Sequence, residues 1–163
     1  KVYCLAVLDV FSRRVAGWSI DSTQTFQLFI FTVTTATEKR HPNGDLVIHD
    51  APRSQFASWA FSRKVKEIDL EPSMDSVGSA YDNAMKVSFW GRMQVELLNR
   101  KKWKTRIALA NQIHDYIEVL HNTHRRHSSL NMLTPAEFER QHAITTAAWF
   151  QERAFIFLGV RSP

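Results

Sequence analysis

The sequence predicts an α/β domain in which buried strands alternate with amphipathic helices. Residues Val2 to Leu8 form a continuous apolar run, which is typical of a strand buried on both faces. Farther along, apolar residues recur at every fourth position and predict a long helix with one buried face. These residues are Met85, Phe89, Met93 and Leu97. A chain of 163 residues suits one domain with its own core.

The first half of the chain predicts a hairpin, a helix and a short strand. The strand from Val2 ends at Asp9, and Arg14 to Ile20 reads as the second strand of the hairpin. The next segment has strand propensity, but its apolar residues follow helical spacing, so we predict a helix. These residues are Phe26, Phe29, Ile30, Val33 and Ala36. Breaker residues between His41 and Asp45 indicate a loop, and Leu46 to His49 reads as a buried strand.

The second half of the chain predicts one more strand and four helices. Ser54 begins a predicted helix to about Lys66, and Leu70 to Met74 reads as a strand. Asp82 is the expected N-cap of the long helix, and Thr105 that of the next. The buried face of this next helix is expected to comprise Ala110, Ile113, Ile117 and Leu120. Pro135 suits the first position of a short final helix.

Val87 departs from the pattern of the long helix. It lies two positions from the apolar face, roughly 200° around the helix axis. An apolar side chain is not expected there, because that position faces away from the core.

The amino-acid composition indicates which binding partners and which cellular compartment to expect. The formal charge of +5 and the isoelectric point of about 9.6 are compatible with a polyanion partner but do not establish one. The single cysteine, Cys4, excludes a disulfide within the chain and fits a reducing compartment. Neither a signal peptide nor an apolar run of about 18 residues is present, so we expect a cytoplasmic protein without membrane contact.

The positive charge is concentrated between Lys86 and His127, where nine basic and three acidic residues give +6. This region is either a solvated basic face or a phosphate-binding track with Trp103 interleaved. The candidate nucleic-acid-binding residues are Lys86, Arg92, Lys101, Lys102, Lys104, Arg125 and Arg126. Four histidines near the end of this region raise a metal site as an alternative, although solvated or loop-capping histidines are favoured because no carboxylate has ligand spacing. They are His114, His121, His124 and His127.

Several phrases occur in an order that closely resembles the catalytic core of bacterial insertion-sequence transposases of the retroviral-integrase type. They are Leu8–Arg14 with Gly17-Trp18, Ile48-His49 with Ser54-Gln55-Phe56, Pro72-Ser73-Met74, Tyr81–Ala84 with Ser88-Phe89, Tyr116–Glu118, Asn122, Arg125–Leu130 and Thr134–Glu137. The resemblance covers about residues 2–140. We therefore expect an integrase-like core at residues 1–141 and an unassigned tail at residues 142–163.

The resemblance implies an RNase H-like fold, a mixed five-stranded sheet flanked by helices. It also implies that two Asp and one Glu hold two Mg²⁺ or Mn²⁺ ions for phosphoryl transfer on DNA, with no small-molecule substrate. The family's first Asp lies on a strand before the one containing Leu8, so the chain is expected to lack this strand and to expose a long apolar edge. The strand-like Phe155–Leu158 could pair with such an edge. Self-association is left open.

The chain departs from the family pattern at the catalytic positions. The second Asp of the family aligns with Ala51 and the Glu with Val87, with the family's spacing of 35 residues between them. Asp50 is adjacent to the lost site and is a candidate surrogate and weak metal ligand. A shift of one residue along a strand turns the side chain to the other face, which only a strand end or bulge would correct. We therefore expect an inactive transposase core; the alternative is a non-catalytic module that binds DNA or a partner.

Overall fold

The computed structural model describes residues 2–40, 46–49, 70–73, 79–145 and 153–162. The strands are β1 (Val2–Asp9), β2 (Val15–Asp21), β3 (Leu46–His49), β4 (Leu70–Ser73) and β5 (Arg153–Ser162). The helices are α1 (Phe26–Arg40), α2 (Ser79–Met93), α3 (Arg106–His114) and α4 (Pro135–Thr145). A π-helical turn (Gln94–Leu98) continues α2, and a π-helical segment (Asp115–His124) continues α3. No helix within these ranges is long and apolar enough to cross a membrane.

The five strands form one mixed sheet in the order β2-β1-β5-β3-β4. Strand β1 pairs antiparallel with β2 on one edge and with β5 on the other. Strand β3 is parallel to both β5 and β4. The predicted α/β class and mixed five-stranded sheet are thus confirmed. The prediction that β1 has an open edge was wrong, because β5 from the C-terminal part of the chain pairs along the whole length of β1.

Asp9 holds the turn of the predicted β1–β2 hairpin. Its side chain is fully buried, and Oδ1 accepts hydrogen bonds from the backbone N–H groups of Phe11 (2.9 Å) and Ser12 (3.3 Å). The backbone of Asp9 also bonds to the carbonyl of Arg14 and to the N–H of Arg13. Arg13 adopts a left-handed conformation with φ of 62°. The Asp9 carboxylate is therefore a structural cap of this turn.

The core lies on both faces of β1, because alternate side chains of a strand point to opposite faces. On one face, Leu5 and Val7 pack with residues of α1, including Phe29 and Val33. On the other face, Cys4, Ala6 and Leu8 pack against the helices α2 and α3. Strand β1 is therefore fixed by two hydrophobic clusters.

Helix α2 begins at Ser79, so the prediction of Asp82 as its N-cap was wrong; Asp82 lies inside the first turn. The predicted apolar face is confirmed. Phe89 and Met93 are buried, and Met85 and Leu97 are partly buried against the same cluster. The loop predicted at 41–45 and the helix predicted from Ser54 to Lys66 lie outside the described residues.

The π-helical segment corrects the predicted buried face of the next helix. Ile113 and Ile117 are buried as expected, but Leu120 is 39% exposed. A π-helix bonds residue i to i+5, as the N–H of Arg125 does with the carbonyl of Leu120 at 2.7 Å. Each turn therefore takes more residues than an α-helical turn, and the next buried positions are His121 and Asn122.

Two predicted helix starts are confirmed. Thr105 Oγ1 accepts from the N–H of Ala108 at 3.1 Å and caps α3. Pro135 is the first residue of α4. Before it, Thr134 and Glu137 exchange side-chain and backbone hydrogen bonds of 2.9 and 3.2 Å, a capping box.

Candidate functional site

The ends of β1 and β3 meet across β5, where the resemblance places the catalytic edge. Asp9 of β1 and Ile48 of β3 are both in register with Phe155, and His49 is in register with Ile156. Since neighbouring strands lie about 4.8 Å apart, Asp9 and Ile48 are about 10 Å apart across the sheet. Helix α2 contacts β5. The fold therefore brings the end of β3 and the helix that carries Val87 to the same strand.

Asp50 and Ala51, which follow His49 directly in sequence, lie outside the described residues. Whether Asp50 can act as a surrogate ligand therefore stays a prediction.

Val87 is exposed on α2, as its position in the helical pattern predicted. Its side chain is 65% exposed, whereas Phe89 two residues later is 5% exposed and packs in the core. An exposed valine gains nothing from burial and offers no oxygen to a metal ion. The position that the resemblance assigns to a catalytic Glu thus holds a hydrocarbon side chain facing solvent.

Glu96 does not replace the missing carboxylate. It lies nine residues beyond Val87, about 13 Å along a helix. Its carboxylate forms an ion pair with Arg125 and accepts a hydrogen bond from the Tyr116 hydroxyl at 2.8 Å. Burial raises the pKa of Glu96, but the Tyr116 hydrogen bond and the charge of Arg125 outweigh burial and lower the pKa below its usual value. The Glu96 carboxylate is therefore bound by the side chains of Tyr116 and Arg125.

The residues present at the described part of this edge do not fit a two-metal site. Asp9 Oδ1 is occupied by two backbone N–H groups, and Val87 has no donor atom. Strand β5 passes between β1 and β3 and contains no Asp or Glu. In the described ranges, no group of three or more His, Cys, Asp or Glu side chains is arranged to hold a metal ion.

Three of the predicted DNA-binding lysines line one cavity of about 470 Å³ beside the start of α3. Its lining comprises Lys101, Lys102, Trp103, Lys104, Ala108, Asn111 and Gln112. Lys101 Nζ lies 4.6 Å from the centre of the Trp103 ring, a cation–π contact. Asn111 and Gln112 were not predicted; their signal is the spacing of three and four residues from Ala108, which places all three on one side of the helix.

The other predicted basic residues do not continue this cavity as one track. Arg125 is paired with Glu96, and Arg126 donates to the carbonyl of Met132 at 3.1 Å. Lys86 is half-buried and Arg92 is exposed, both on α2. The structure therefore separates the lysines of the cavity from the arginines that surround Glu96.

Two of the four clustered histidines lie side by side, and one of them, His121, has a structural role. His121 is buried, and its Nε2 donates to the carbonyl of Arg13 at 2.9 Å, which ties the π-helical segment to the β1–β2 turn. The ring of His127 lies 5.2 Å from that of His121. Burial lowers the pKa of both to about 4, with Arg92 adding to the shift at His127. His114 and His124 are exposed, as the solvated alternative predicted.

Comparison with known proteins shows similarity to an integrase core domain and to transposases. Residues 68–135 match the integrase core domain family. The chain is 34% identical to the transposase for insertion sequence element IS904 of Lactococcus lactis, over 87% of this chain and 56% of the relative. It is 31% identical to the transposase InsF for insertion sequence IS3fB of Escherichia coli, over 86% of this chain and 49% of the relative. The chain thus spans about half the length of these relatives.

The matched sequence, the mixed sheet and the order of the motifs agree with one another. The chain is therefore similar to insertion-sequence transposases, and its residues 68–135 are similar to an integrase core domain.

Proposed function

We propose that this chain is a transposase core that binds DNA but does not catalyse strand cleavage or transfer as it stands. Its relatives are transposases, which supports DNA as the partner. The observation that carries the catalytic part is Val87, a 65% exposed hydrocarbon at the family's Glu position. Without that carboxylate and the Asp that aligns with Ala51, Mg²⁺ or Mn²⁺ has too few oxygen ligands to bind productively.

Metal binding to restored acids tests this assignment. We expect Mn²⁺, titrated calorimetrically, to bind the double variant Ala51→Asp/Val87→Glu and not the unchanged chain. A matched control is Ala51→Asp/Val95→Glu, because Val95 is also exposed, at 62%, and lies eight residues beyond Val87. The control receives the same charges but places one of them about 12 Å away along the helix, too far to share an ion.

The outcomes separate the alternatives. Equal Mn²⁺ binding by the unchanged chain would show that Asp50 or another group already serves as a ligand. Equal binding by the Val95→Glu control would show that added charge, and not the Val87 position, creates the site. Mg²⁺-dependent nicking of duplex DNA by the unchanged chain would overturn the proposed inactivity.

The lysine cavity supports a second candidate function, a non-catalytic DNA-binding module. Lys101, Lys102 and Lys104 project from one short loop, and Trp103 between them offers an aromatic ring that a nucleobase could stack on. This loop follows the π-helical turn that continues α2 and ends at Leu98, about 15 Å along the helix from Val87. DNA binding there does not require the catalytic edge.

Salt dependence tests the role of these lysines. Each lysine that contacts a phosphate releases counterions, so Lys102→Gln or Lys104→Gln should reduce the slope of log K against log salt by about 0.9. Lys39→Gln is the matched control, because Lys39 lies on α1 and pairs with Glu118 at 3.0 Å. If Lys39→Gln reduced the salt slope equally, the lysines of the cavity would act only as part of a general basic surface. Non-saturable binding by the unchanged chain would argue against a specific module.

A further inference from the structure

Strand β5 holds the two halves of the sheet together. It lies between β1 and β3, and β1 and β3 are not neighbours. It forms eight registered antiparallel pairs with β1 and four parallel pairs with β3. Withdrawal of β5 would leave two separate ribbons, β2-β1 and β3-β4, with a slot one strand wide between them.

Strand β1, one side of this slot, has packing partners other than β5. Strand β1 has β2 on its other edge, the α1 cluster on one face and the α2 and α3 cluster on the other. The free edge of β1 would therefore stay extended and aligned, which lowers the ordering cost of adding a strand.

The sequence of β5 suits a strand paired on both sides. Seven consecutive uncharged residues, from Ala154 to Val160, lie between Arg153 and Arg161. Such a run resembles a central strand buried on both faces. Released into water, it would be prone to pair with any open strand edge. Its most complementary partner is a slot that already accepts this same sequence.

We propose that the slot between β1 and β3 is a strand-binding site whose partner is the Arg153–Ser162 segment of a second copy of this chain. Reciprocal exchange reproduces every registered pair of the single chain, so the bonded contacts of the two forms are the same. Seven residues connect Thr145 of α4 to Arg153, which can span up to about 25 Å when extended. This inference does not rest on metal or DNA binding.

The single natural cysteine allows a direct test. Cys4 is in register with Val160 across the antiparallel β1–β5 pair. Paired Cα atoms in such ladders lie about 4.5–5.5 Å apart, within the range of a disulfide. The variant Val160→Cys, mixed with a size-tagged copy of itself, unfolded, refolded and oxidised, should give covalent dimers that include tagged–untagged pairs. The matched control is Gly159→Cys, which is in register with Leu5 and points to the opposite face from Cys4, so it should not cross-link.

Each outcome decides the proposal. Tagged–untagged dimers with Val160→Cys but not with Gly159→Cys would establish exchange in the observed register. Cross-links confined to single chains at every protein concentration would overturn the second copy as partner. Absence of any cross-link, or equal cross-linking by the control, would overturn the slot as described. Light scattering on the unchanged chain provides a check that needs no variant: a monomer mass at all concentrations after refolding would also overturn exchange.

Discussion

The side-chain amide of Asn122 pairs with the backbone of Val15 as a neighbouring strand residue would. Its Oδ1 accepts from the Val15 N–H at 3.0 Å, and its Nδ2 donates to the Val15 carbonyl at 3.1 Å. Asn122 is fully buried and Val15 is 1% exposed. One side chain of the π-helical segment thus satisfies both backbone groups at the start of β2, which joins the C-terminal helices to the hairpin.

Replacing Asn122 by Ala should lower stability strongly. Val15 would keep a buried N–H and a buried carbonyl without partners, so we expect a loss of about 2–4 kcal/mol in urea unfolding. Asn111→Ala is the control, because Asn111 is exposed on α3 and should change stability by less than about 0.5 kcal/mol. Similar losses in both variants would contradict the role of the Asn122–Val15 pair.

Substitution by alanine should have opposite effects on stability at Gly17 and at Gly91. A Cβ at Gly17 would lie 2.7 Å from the carbonyl oxygen of Thr32 and 2.9 Å from the backbone nitrogen of Ala36, so α1 would have to move away from β2. We expect Gly17→Ala to destabilise by about 1–3 kcal/mol. Nothing lies within 4 Å of a Cβ at Gly91 in α2, and Gly91→Ala should stabilise by up to about 1 kcal/mol. Shifts of Tm with the same sign would contradict this packing.

Stability should fall on acidification because of His121. Its pKa is lowered by burial to about 4, below its ordinary value of 6.5, so the unfolded chain binds the proton more readily. The contribution is complete above pH 6.5 and is lost as the pH falls towards 4, with an upper limit of about 3 kcal/mol. His127, Arg92 and Arg125 all oppose protonation of His121, and the Arg13 carbonyl favours it.

Urea unfolding between pH 7.5 and pH 4.5 measures this slope. His121→Gln keeps a donor for the Arg13 carbonyl but does not titrate, so its stability should change less with pH than that of the unchanged chain. The exposed His114→Gln serves as the control and should keep the full slope. An unaltered slope in His121→Gln would assign the acid sensitivity to other groups, His127 first.

Cys4 should report unfolding through its reactivity. Burial raises the pKa of its thiol to about 12, so little thiolate forms at pH 8 in the folded chain. We expect a thiol reagent to label the native chain slowly and the urea-unfolded chain at once. Cys4→Ala combined with Ser129→Cys, which places the thiol at an exposed position, should label rapidly under both conditions. Rapid native labelling of Cys4 would mean that β1 is more accessible than the sheet implies.

Much of the fold could be predicted because its signals are local. The alternation of strands and helices, the Thr105 cap, the Pro135 start and the exposed Val87 all depend on residues within one or two turns of each other. The prediction failed where the chain forms a π-helix, because the spacing rule assumed an α-helix. Leu120 was placed in the core by α-helical spacing, and the π-helical segment gave that place to His121 and Asn122.

Only part of the candidate site could be predicted from the sequence. Its aligned positions, Ala51 and Val87, follow from the order and spacing of motifs in the sequence. The gathering of Lys101, Lys102 and Lys104 around Trp103 was suggested by their adjacency, but the lining by Asn111 and Gln112 required α3 to pack beside that loop. The pairing of Arg125 with Glu96, which sets Arg125 apart from the cavity, joins residues 29 positions apart and has no local signature.

By itself, the sequence predicted most of the described strands and helices, and it shows that the position which the resemblance assigns to a catalytic Glu holds a valine. The sequence also predicted the β1–β2 hairpin, but only the tertiary structure decided the other strand neighbours. The backbone groups of a strand are chemically the same along its length, so the apolar run from Ala154 to Val160 could pair with any open edge. The packing of β1 between two hydrophobic clusters left its edge as the place where this run forms the most hydrogen bonds, and β5 became the centre of the sheet.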